Sequence, residues 1–146
     1  MEEPLVNPLI SVSKKYMNAF SKRVLQLPID RHQHVLGLID DHHENLSQKA
    51  LAELLQIDKS YMVTILDYLE DNGYVIREKN PHDRREQLVR LTAKARKDIP
   101  LIREAICELN SKALQNISES KKQIFNEVLR IINSNLSNIA MSHAQF

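Results

Sequence analysis

The sequence has little glycine, one cysteine and no tryptophan. Only Gly37 and Gly73 occur among its 146 residues, which leaves little room for Gly-rich phosphate-binding loops or many tight hairpins. The single thiol, Cys107, can form neither an internal disulfide nor a multi-cysteine zinc site. Its place near an apolar stripe predicts a buried packing residue. So few glycines favour helices joined by short connections.

Long hydrophobic runs are also missing. None approaches the roughly 20 residues that a membrane-spanning helix needs, and the acidic N-terminus, interrupted by two prolines, does not resemble a signal peptide. We therefore expect a cytoplasmic protein with no membrane partner. Charged residues make up 27% of the chain, but the net charge is only +1. Any argument for a nucleic-acid partner must therefore rest on where the charges lie.

Motifs of common active sites are absent, among them the phosphate-binding loop, the serine-hydrolase elbow and the zinc-protease helix. We therefore expect no enzyme, no catalytic residue and no cofactor. Four histidines, His32, His34, His42 and His43, fall in or near one predicted helix. No two of them are four residues apart, the spacing that places two ligands on one helix face. We expect solvated or pocket-lining histidines and no metal site.

Helices are predicted on both sides of the sequence centre. A first helix from about Pro8 to Leu25 carries an apolar stripe formed by Leu9, Val12, Tyr16, Phe20 and Val24. Asp30 and Gln33 resemble a capping box for a second helix that ends near His43. A long helix begins after Thr92, with Pro100 predicted to kink or divide it. A last helix follows Ser118 or Ser120, with an inward stripe of Phe125, Val128, Leu129, Ile132, Leu136 and Ile139.

A helix-turn-helix is predicted in the middle of the chain. Ser47 is a cap for a short helix over Gln48–Gln56, with Leu51, Leu54 and Leu55 on one face. Asp58 is a cap for a second helix that ends at Asn72-Gly73, where glycine suits a left-handed C-terminal position. The inward residues of that helix are Met62, Ile65, Leu66 and Leu69. Two short helices joined by a tight turn are typical of DNA-binding domains.

A charged hairpin follows directly. Residues 74–79 and 87–91 predict strands, and 80–86 a polar loop. Between Arg77 and Lys97 stand eight basic and three acidic residues, a local excess of five positive charges. Arginines at a hairpin tip suit the negative potential of a DNA minor groove, and Asp83 could hold a neighbouring guanidinium in place. Our candidate DNA contacts are Ser47, Lys59, Ser60, Tyr61, Thr64, Arg77, Lys79, Arg84 and Arg85.

These segments resemble the MarR (multiple antibiotic resistance regulator) family of bacterial transcription factors. The resemblance is carried by Leu46–Leu55, Ile57–Ser60, Leu69–Val75, Asp83–Arg85 and Val89–Thr92, in that order and spacing. It implies a mainly α winged helix-turn-helix with a small β-hairpin wing and with N- and C-terminal dimerisation helices. Residues 1–29 and 100–146 would form the dimerisation region and 30–99 the DNA-binding region.

The family resemblance also implies partners. We expect a homodimer on a near-palindromic double-stranded operator, acting as a repressor that is released by a small aromatic or phenolic ligand. The candidate ligand pocket comprises Tyr16, Phe20, His32 and His34. Many members carry arginine where Thr64 and Tyr68 stand, so their base preference does not transfer. The alternative is a winged helix that binds another protein and not DNA; the Arg84-Arg85 tip favours DNA.

Overall fold

The computed structural model describes residues 2–42 and 45–141, without the side chains of 140 and 141. Over these residues it contains six helices and one two-stranded antiparallel sheet. In chain order they are α1 (Val6–Arg23), α2 (Gln33–Asp41), α3 (Gln48–Leu55), α4 (Lys59–Asp71), β1 (Val75–Asn80), β2 (Asp83–Leu91), α5 (Ala93–Ala113) and α6 (Glu119–Met141). This order confirms the predicted fold class, a mainly helical protein with a hairpin after a helix-turn-helix.

The chain divides into two compact units, Met1–Leu109 and Asn110–Phe146. The first contains an apolar core to which α1, α2, α3, α4, the hairpin and α5 all contribute. Its largest fully buried side chains are Tyr74, Phe20, Leu36, Ile39, Leu51, Met62, Leu66, Leu69, Leu88 and Ile102. Burying this many large apolar groups is the main favourable contribution to the folding of the unit.

Side-chain caps begin the helices where the sequence predicts them. The Ser47 Oγ accepts a hydrogen bond from the Ala50 N–H at 3.0 Å, and the Asp58 Oδ1 accepts one from the Tyr61 N–H at 2.7 Å. Thr92 and Ser118 accept equivalent bonds at the starts of α5 and α6. Each cap satisfies an N–H that the helix leaves without a partner.

The capping box predicted at Asp30 and Gln33 is wrong. The helix starts at Gln33, after His32, which has a left-handed backbone with φ 64° and provides no side-chain cap. The Asp30 carboxylate instead accepts the Tyr68 hydroxyl, while the Gln33 side-chain amide donates back to the Ile29 carbonyl. The Asp30 side chain, which the local sequence pattern predicts as a helix cap, thus forms a tertiary hydrogen bond with Tyr68 instead. The predicted end of this helix, His43, lies outside the described residues.

The connection from α4 to the hairpin depends on Gly73. Its φ of 78° lies in the left-handed region. The Gly73 N–H donates to the Glu70 carbonyl at 2.9 Å and the Tyr74 N–H to the Leu69 carbonyl at 2.8 Å. These two bonds form a Schellman motif, which ends α4 and turns the chain directly into β1.

The hairpin is longer than predicted, because residues 83–86 belong to β2 and not to a loop. The turn itself consists of Pro81 and His82, with Asn80 opposite Asp83. The Asn80 side-chain amide donates to Glu86 at 2.7 Å, and its oxygen accepts the His82 N–H at 2.9 Å. Side-chain hydrogen bonds therefore hold the two strands together at the tip, in a segment whose polar sequence predicts a loop.

Helix α5 is continuous through Pro100, so the predicted division of this helix is wrong. Buried side chains on both sides of the proline pack into the same core: Ala95, Ile99, Ile102 and Ala105. That packing offsets the cost of a proline inside a helix, about 3 kcal/mol. Cys107 is exposed, so its predicted burial is also wrong.

Several apolar side chains that the sequence assigns to inward stripes are exposed in the single chain. In α1, Leu9 and Val12 are exposed and only Phe20 among the helical stripe residues is buried. In α3, Leu54 is 47% exposed. In α6, Phe125, Val128, Leu136 and Ile139 are exposed, and Leu129 and Ile132 are half-buried. Within residues 2–42 and 45–141, no helix combines the length and apolar character of a membrane span.

Gly73→Ala is expected to lower the free energy of unfolding by about 1 kcal/mol, since a side chain is strained at positive φ. Gly37→Ala is the matched control. A Cβ at Gly37 would meet the Ile102 Cγ2 at 3.6 Å, an ordinary contact, and alanine favours a helix interior. Urea denaturation of both variants checks this. A Gly73 variant as stable as the wild type would contradict the conformational argument.

Candidate nucleic-acid interface

The outer face of α4 carries four of the predicted DNA contacts. Lys59, Ser60, Tyr61 and Thr64 are exposed, with Tyr61 at 47%. The opposite face is buried through Met62, Ile65, Leu66 and Leu69, as predicted. The Thr64 hydroxyl donates to the Ser60 carbonyl, which leaves its methyl group available for an apolar contact. This face can offer a cation and hydroxyls at its N-terminal end and an aromatic surface beyond them.

Ser47 occupies a different environment. Ser47 is only 5% exposed, and its hydroxyl caps α3. Its backbone forms a bridge with Leu88 of β2, and the neighbouring Leu46 carbonyl accepts the Val89 N–H at 2.9 Å. The segment before α3 thus extends the small sheet and attaches the hairpin to the helix-turn-helix.

The hairpin tip presents two arginines. Arg84 and Arg85 are both exposed, and the Arg85 side chain is 94% exposed. The Arg85 N–H donates to the Asp83 carboxylate at 3.0 Å, while the Arg85 Nε lies 3.6 Å from the same oxygen. The second distance is an ion pair without a hydrogen bond. The Arg85 guanidinium therefore has hydrogen-bonding capacity for an anion.

Arg77 is used differently from the tip arginines. Its guanidinium donates to Asp67 at 2.6 Å and to Glu70 at 2.7 Å, and its N–H donates to Glu70 at 3.1 Å. The Arg77 side chain is only 19% exposed. The hydrogen bond from Arg77 lowers the pKa of Glu70. Arg77 thus connects β1 to α4 and offsets part of the negative charge close to the α4 face.

Other members of the basic group also have intramolecular partners. Arg90 pairs with Glu78 across the hairpin. The Lys94 ammonium donates to the Asn72 carbonyl at 2.8 Å and lies 4.8 Å from the centre of the Tyr74 ring. Lys79, by contrast, is exposed near the tip. The positive charges that remain exposed therefore lie at two places: at the outer end of the hairpin, on Lys79 and the tip arginines, and in the first turns of α5, on Arg96 and Lys97.

Residues 30–32 lie against α4, an arrangement that sequence periodicity did not indicate. The His32 ring centre is 6.4 Å from that of Tyr61 and 5.7 Å from that of Tyr68. The Tyr68 hydroxyl donates to the Asp30 carboxylate at 2.7 Å and accepts the Asp30 N–H at 3.2 Å. The Arg31 guanidinium lies over the Tyr68 ring at 4.5 Å. Burial, followed by the charge of Arg31, lowers the pKa of His32.

The predicted ligand-pocket residues separate into two groups. Phe20 and His34 are in contact, edge to face, with ring centres 6.4 Å apart, whereas His32 lies against α4. Tyr16 is half-buried, and burial raises the pKa of its phenol. The buried Nδ1 of His34 has no hydrogen-bond partner among the described residues. Burial lowers the pKa of His34, and the nearby His32 lowers it further.

The described part of the chain contains no group of three or more His, Cys, Asp or Glu side chains placed to hold a metal ion. The His42 Nδ1 donates to the Leu38 carbonyl, one turn earlier, at 2.9 Å. His43, which the sequence placed in the same cluster, lies outside the described residues.

Three comparisons place these features among known proteins. Residues 29–86 match the model of the MarR family. The chain is 31% identical over 98 residues, 67% of its length, to YdgJ, an uncharacterized HTH-type transcriptional regulator of Bacillus subtilis (strain 168). The chain spans 49% to 60% of the length of the curated relatives it matches.

Solved structures share the fold over nearly the whole chain. A MarR-family regulator from Listeria monocytogenes, complexed with 26mer DNA, is 19% identical with a TM-score of 0.86, over 97% of this chain and 94% of that one. CouR from Rhodococcus jostii RHA1, bound to p-coumaroyl-CoA, is 20% identical with a TM-score of 0.75, over 90% of this chain and 95% of that one. At these identities the likeness concerns the fold.

The buried His34 imidazole predicts a pH-dependent stability. Its pKa is lowered from 6.5 in the folded protein, so below about pH 6.5 the unfolded chain binds more protons. This contribution to stability is complete above that pH and is lost as the pH falls. We expect the melting temperature to drop between about pH 7.5 and pH 5.5 by less in His34→Leu than in the wild type. His82→Gln, in the exposed turn, should retain the wild-type dependence of melting temperature on pH. The same dependence in the wild type and both variants would refute the role of His34.

Proposed function

We propose that the chain is a member of the MarR family of transcriptional regulators and that it binds double-stranded DNA in a sequence-specific manner. The observation that carries the proposal is the pair of exposed tip arginines on a hairpin that follows the exposed face of α4. In this arrangement α4 enters a major groove and the hairpin wing reaches an adjacent minor groove, whose narrow width attracts arginine. The Listeria regulator, which has the same fold and was solved with 26mer DNA, supports DNA binding.

Base reading would rest on few side chains. Tyr61 and Thr64 can make apolar contacts with thymine methyl groups, while Lys59 and Ser60 can bind phosphates at the start of α4. No arginine or asparagine stands between Ser60 and Asp71 to read guanine or adenine through two hydrogen bonds. The shape of the minor groove at the wing therefore supplies part of the sequence preference.

Arg85→Ala is expected to weaken binding to duplex DNA by about 1–3 kcal/mol and to flatten its salt dependence, because one phosphate or minor-groove contact is lost from each wing. Fluorescence anisotropy titrations at several salt concentrations measure both effects. Lys121→Ala, which removes an exposed positive charge at the start of α6, is the control. An Arg85 variant that matched the wild type at every salt concentration would exclude the wing as a DNA contact.

We further propose that the protein is a homodimer, with residues 1–29 and 100–146 in the dimerisation region and 30–99 in the DNA-binding region. The support is the exposed apolar surface on the outer elements. At the start of α1 and just before it, this surface includes Leu5, Val6, Leu9, Ile10 and Val12, and in α6 it includes Ile124, Phe125, Val128, Ile131, Leu136 and Ile139. A monomer rarely leaves this much apolar surface in water, and a second copy can cover it across a twofold axis.

Light scattering in solution should give twice the chain mass of 16.9 kDa. Phe125→Glu, Val128→Glu together should shift the protein toward monomer, because paired charges would be buried without partners. Lys121→Glu, on the same helix but at a polar position, should leave the dimer intact. A wild-type monomer at micromolar concentration would contradict the proposal.

The remaining part of the proposal is repression that a small aromatic or phenolic ligand relieves. Support comes from Phe20 and His34, an aromatic wall beside an imidazole nitrogen without a partner, and from CouR, whose structure contains p-coumaroyl-CoA. Such a ligand must weaken DNA binding by the factor by which DNA weakens ligand binding. Calorimetric titration of aromatic acids and their thioesters into the free protein and its DNA complex should give unequal affinities. Equal ligand affinities for the free protein and its DNA complex, or no ligand binding at all, would refute regulation by such a ligand.

A further inference from the structure

Arg31 lies on the exposed side of α4, although it precedes α2 in the sequence. Its guanidinium carbon is 4.5 Å from the centre of the Tyr68 ring, and Tyr68 is itself joined to Asp30 by two hydrogen bonds. The next residue, His32, packs between Tyr61 and Tyr68. Three consecutive residues thus follow one face of α4, and this face includes Tyr61, a proposed base contact.

The contacts of Arg31 hold it in place without using its hydrogen-bonding capacity. A guanidinium over an aromatic face gains a cation–π attraction, and this stacking uses none of its N–H donors. The Arg31 Nε lies 3.8 Å from the Asp30 carboxylate, too far for a hydrogen bond. The Arg31 side chain remains 64% exposed. An incoming anion would therefore meet a positioned cation and displace no hydrogen bond.

The position of Tyr68 along α4 fits a phosphate at the edge of a groove. Tyr68 is seven residues from Tyr61, close to two full turns, so both share one face. It is nine residues from Lys59, which is two and a half turns. Lys59 and Tyr68 therefore lie on opposite flanks of the exposed surface of α4. Cations at Lys59 and Arg31 can thus meet the phosphate backbones on either side of a groove that α4 enters.

The charges around α4 also favour a phosphate near Arg31. Asp67 and Glu70 would repel a phosphate, but Arg77 pairs with both and offsets one of their two negative charges, and the Asp30 carboxylate accepts the Tyr68 hydroxyl. Arg31 is then a positively charged group that reaches water beside the C-terminal half of the α4 face.

We propose that Arg31 binds a DNA backbone phosphate at the edge of the groove that α4 enters, with Tyr68 as the residue that positions it. This inference rests on the proposed function, since it requires that the protein bind duplex DNA. It adds a contact from outside the helix-turn-helix and wing, and it assigns Tyr68 to support and not to base reading.

The test compares Arg31→Ala, Arg31→Lys and the control Lys121→Ala with the wild type. Two probes are titrated by fluorescence anisotropy over a range of salt concentrations: a duplex enriched by the wild type from a random library, and a duplex of mixed sequence. Arg31→Ala should weaken binding to both probes by a similar factor, about five- to tenfold at 0.1 M salt. The slope of log affinity against log salt should fall by about 0.9 for each Arg31 in the complex. Arg31→Lys should retain most of the slope, and Lys121→Ala all of it.

The outcomes separate the inference from the proposed function. If the wild type binds DNA, and Arg31→Ala binds with unchanged affinity and slope, the phosphate contact is refuted and the function stands. If Arg31→Ala weakens only the enriched duplex, or weakens binding without a change of slope, the phosphate assignment is also refuted. If the wild type binds neither duplex, the proposed function itself fails, and the inference with it. Melting temperatures equal to that of the wild type confirm that the variants fold.

Discussion

The pairing of Arg77 with Asp67 and Glu70 is the interaction on which the candidate interface depends. A two-stranded hairpin is only marginally stable by itself, so the wing needs fixed connections to the rest of the fold. The largely covered guanidinium of Arg77 provides one between β1 and α4, and the main-chain bond from Val89 to Leu46 provides another on the opposite edge. The same guanidinium offsets one of the two negative charges of these carboxylates, which would otherwise repel a polyanion more strongly. Mechanical connection and charge compensation thus come from a single side chain.

With α4 and the wing connected, the cations divide into those that hold the structure and those that face outward. Arg77, Arg90 and Lys94 have partners within the chain, whereas Arg84 and Arg85 extend from the tip. Surface arginines that make no contacts within the fold can bind DNA phosphates without breaking an interaction that stabilises the protein. The apolar side chains of α1 and α6 that are exposed in one chain would be buried against a second copy in the proposed homodimer.

Local chemistry explains which parts of this arrangement the sequence could predict. The caps at Ser47, Asp58 and Thr92 and the C-terminal glycine at Gly73 involve residues three to five positions apart, and all were predicted correctly. Asp30 carries the same type of signal, but its carboxylate binds Tyr68, 38 residues away. Periodicity and capping patterns contain no information on contacts at that separation, and so Arg31 and His32 were not placed on α4.

The hairpin tip and Arg77 show a second limit. A run of charged and turn-forming residues predicts a loop, but Asn80 lies opposite Asp83 in the sheet, and its side-chain amide donates to Glu86. Counting charge placed Arg77 with the DNA contacts, although its guanidinium is used by Asp67 and Glu70. Composition indicates where charge is concentrated. Only the packing of β1 on α4 shows which charges remain available to a partner.

Selection of duplexes bound by the wild-type protein from a random library, followed by footprinting on the enriched sequence, tests the central claim most directly. The account predicts a near-palindromic site with half-sites about 34–36 Å apart, one helical turn. Major-groove protection should lie at each half-site and minor-groove protection at both flanks. The absence of any enriched sequence, or enrichment of a single half-site without minor-groove protection, would contradict a dimer that reads DNA with α4 and the wing.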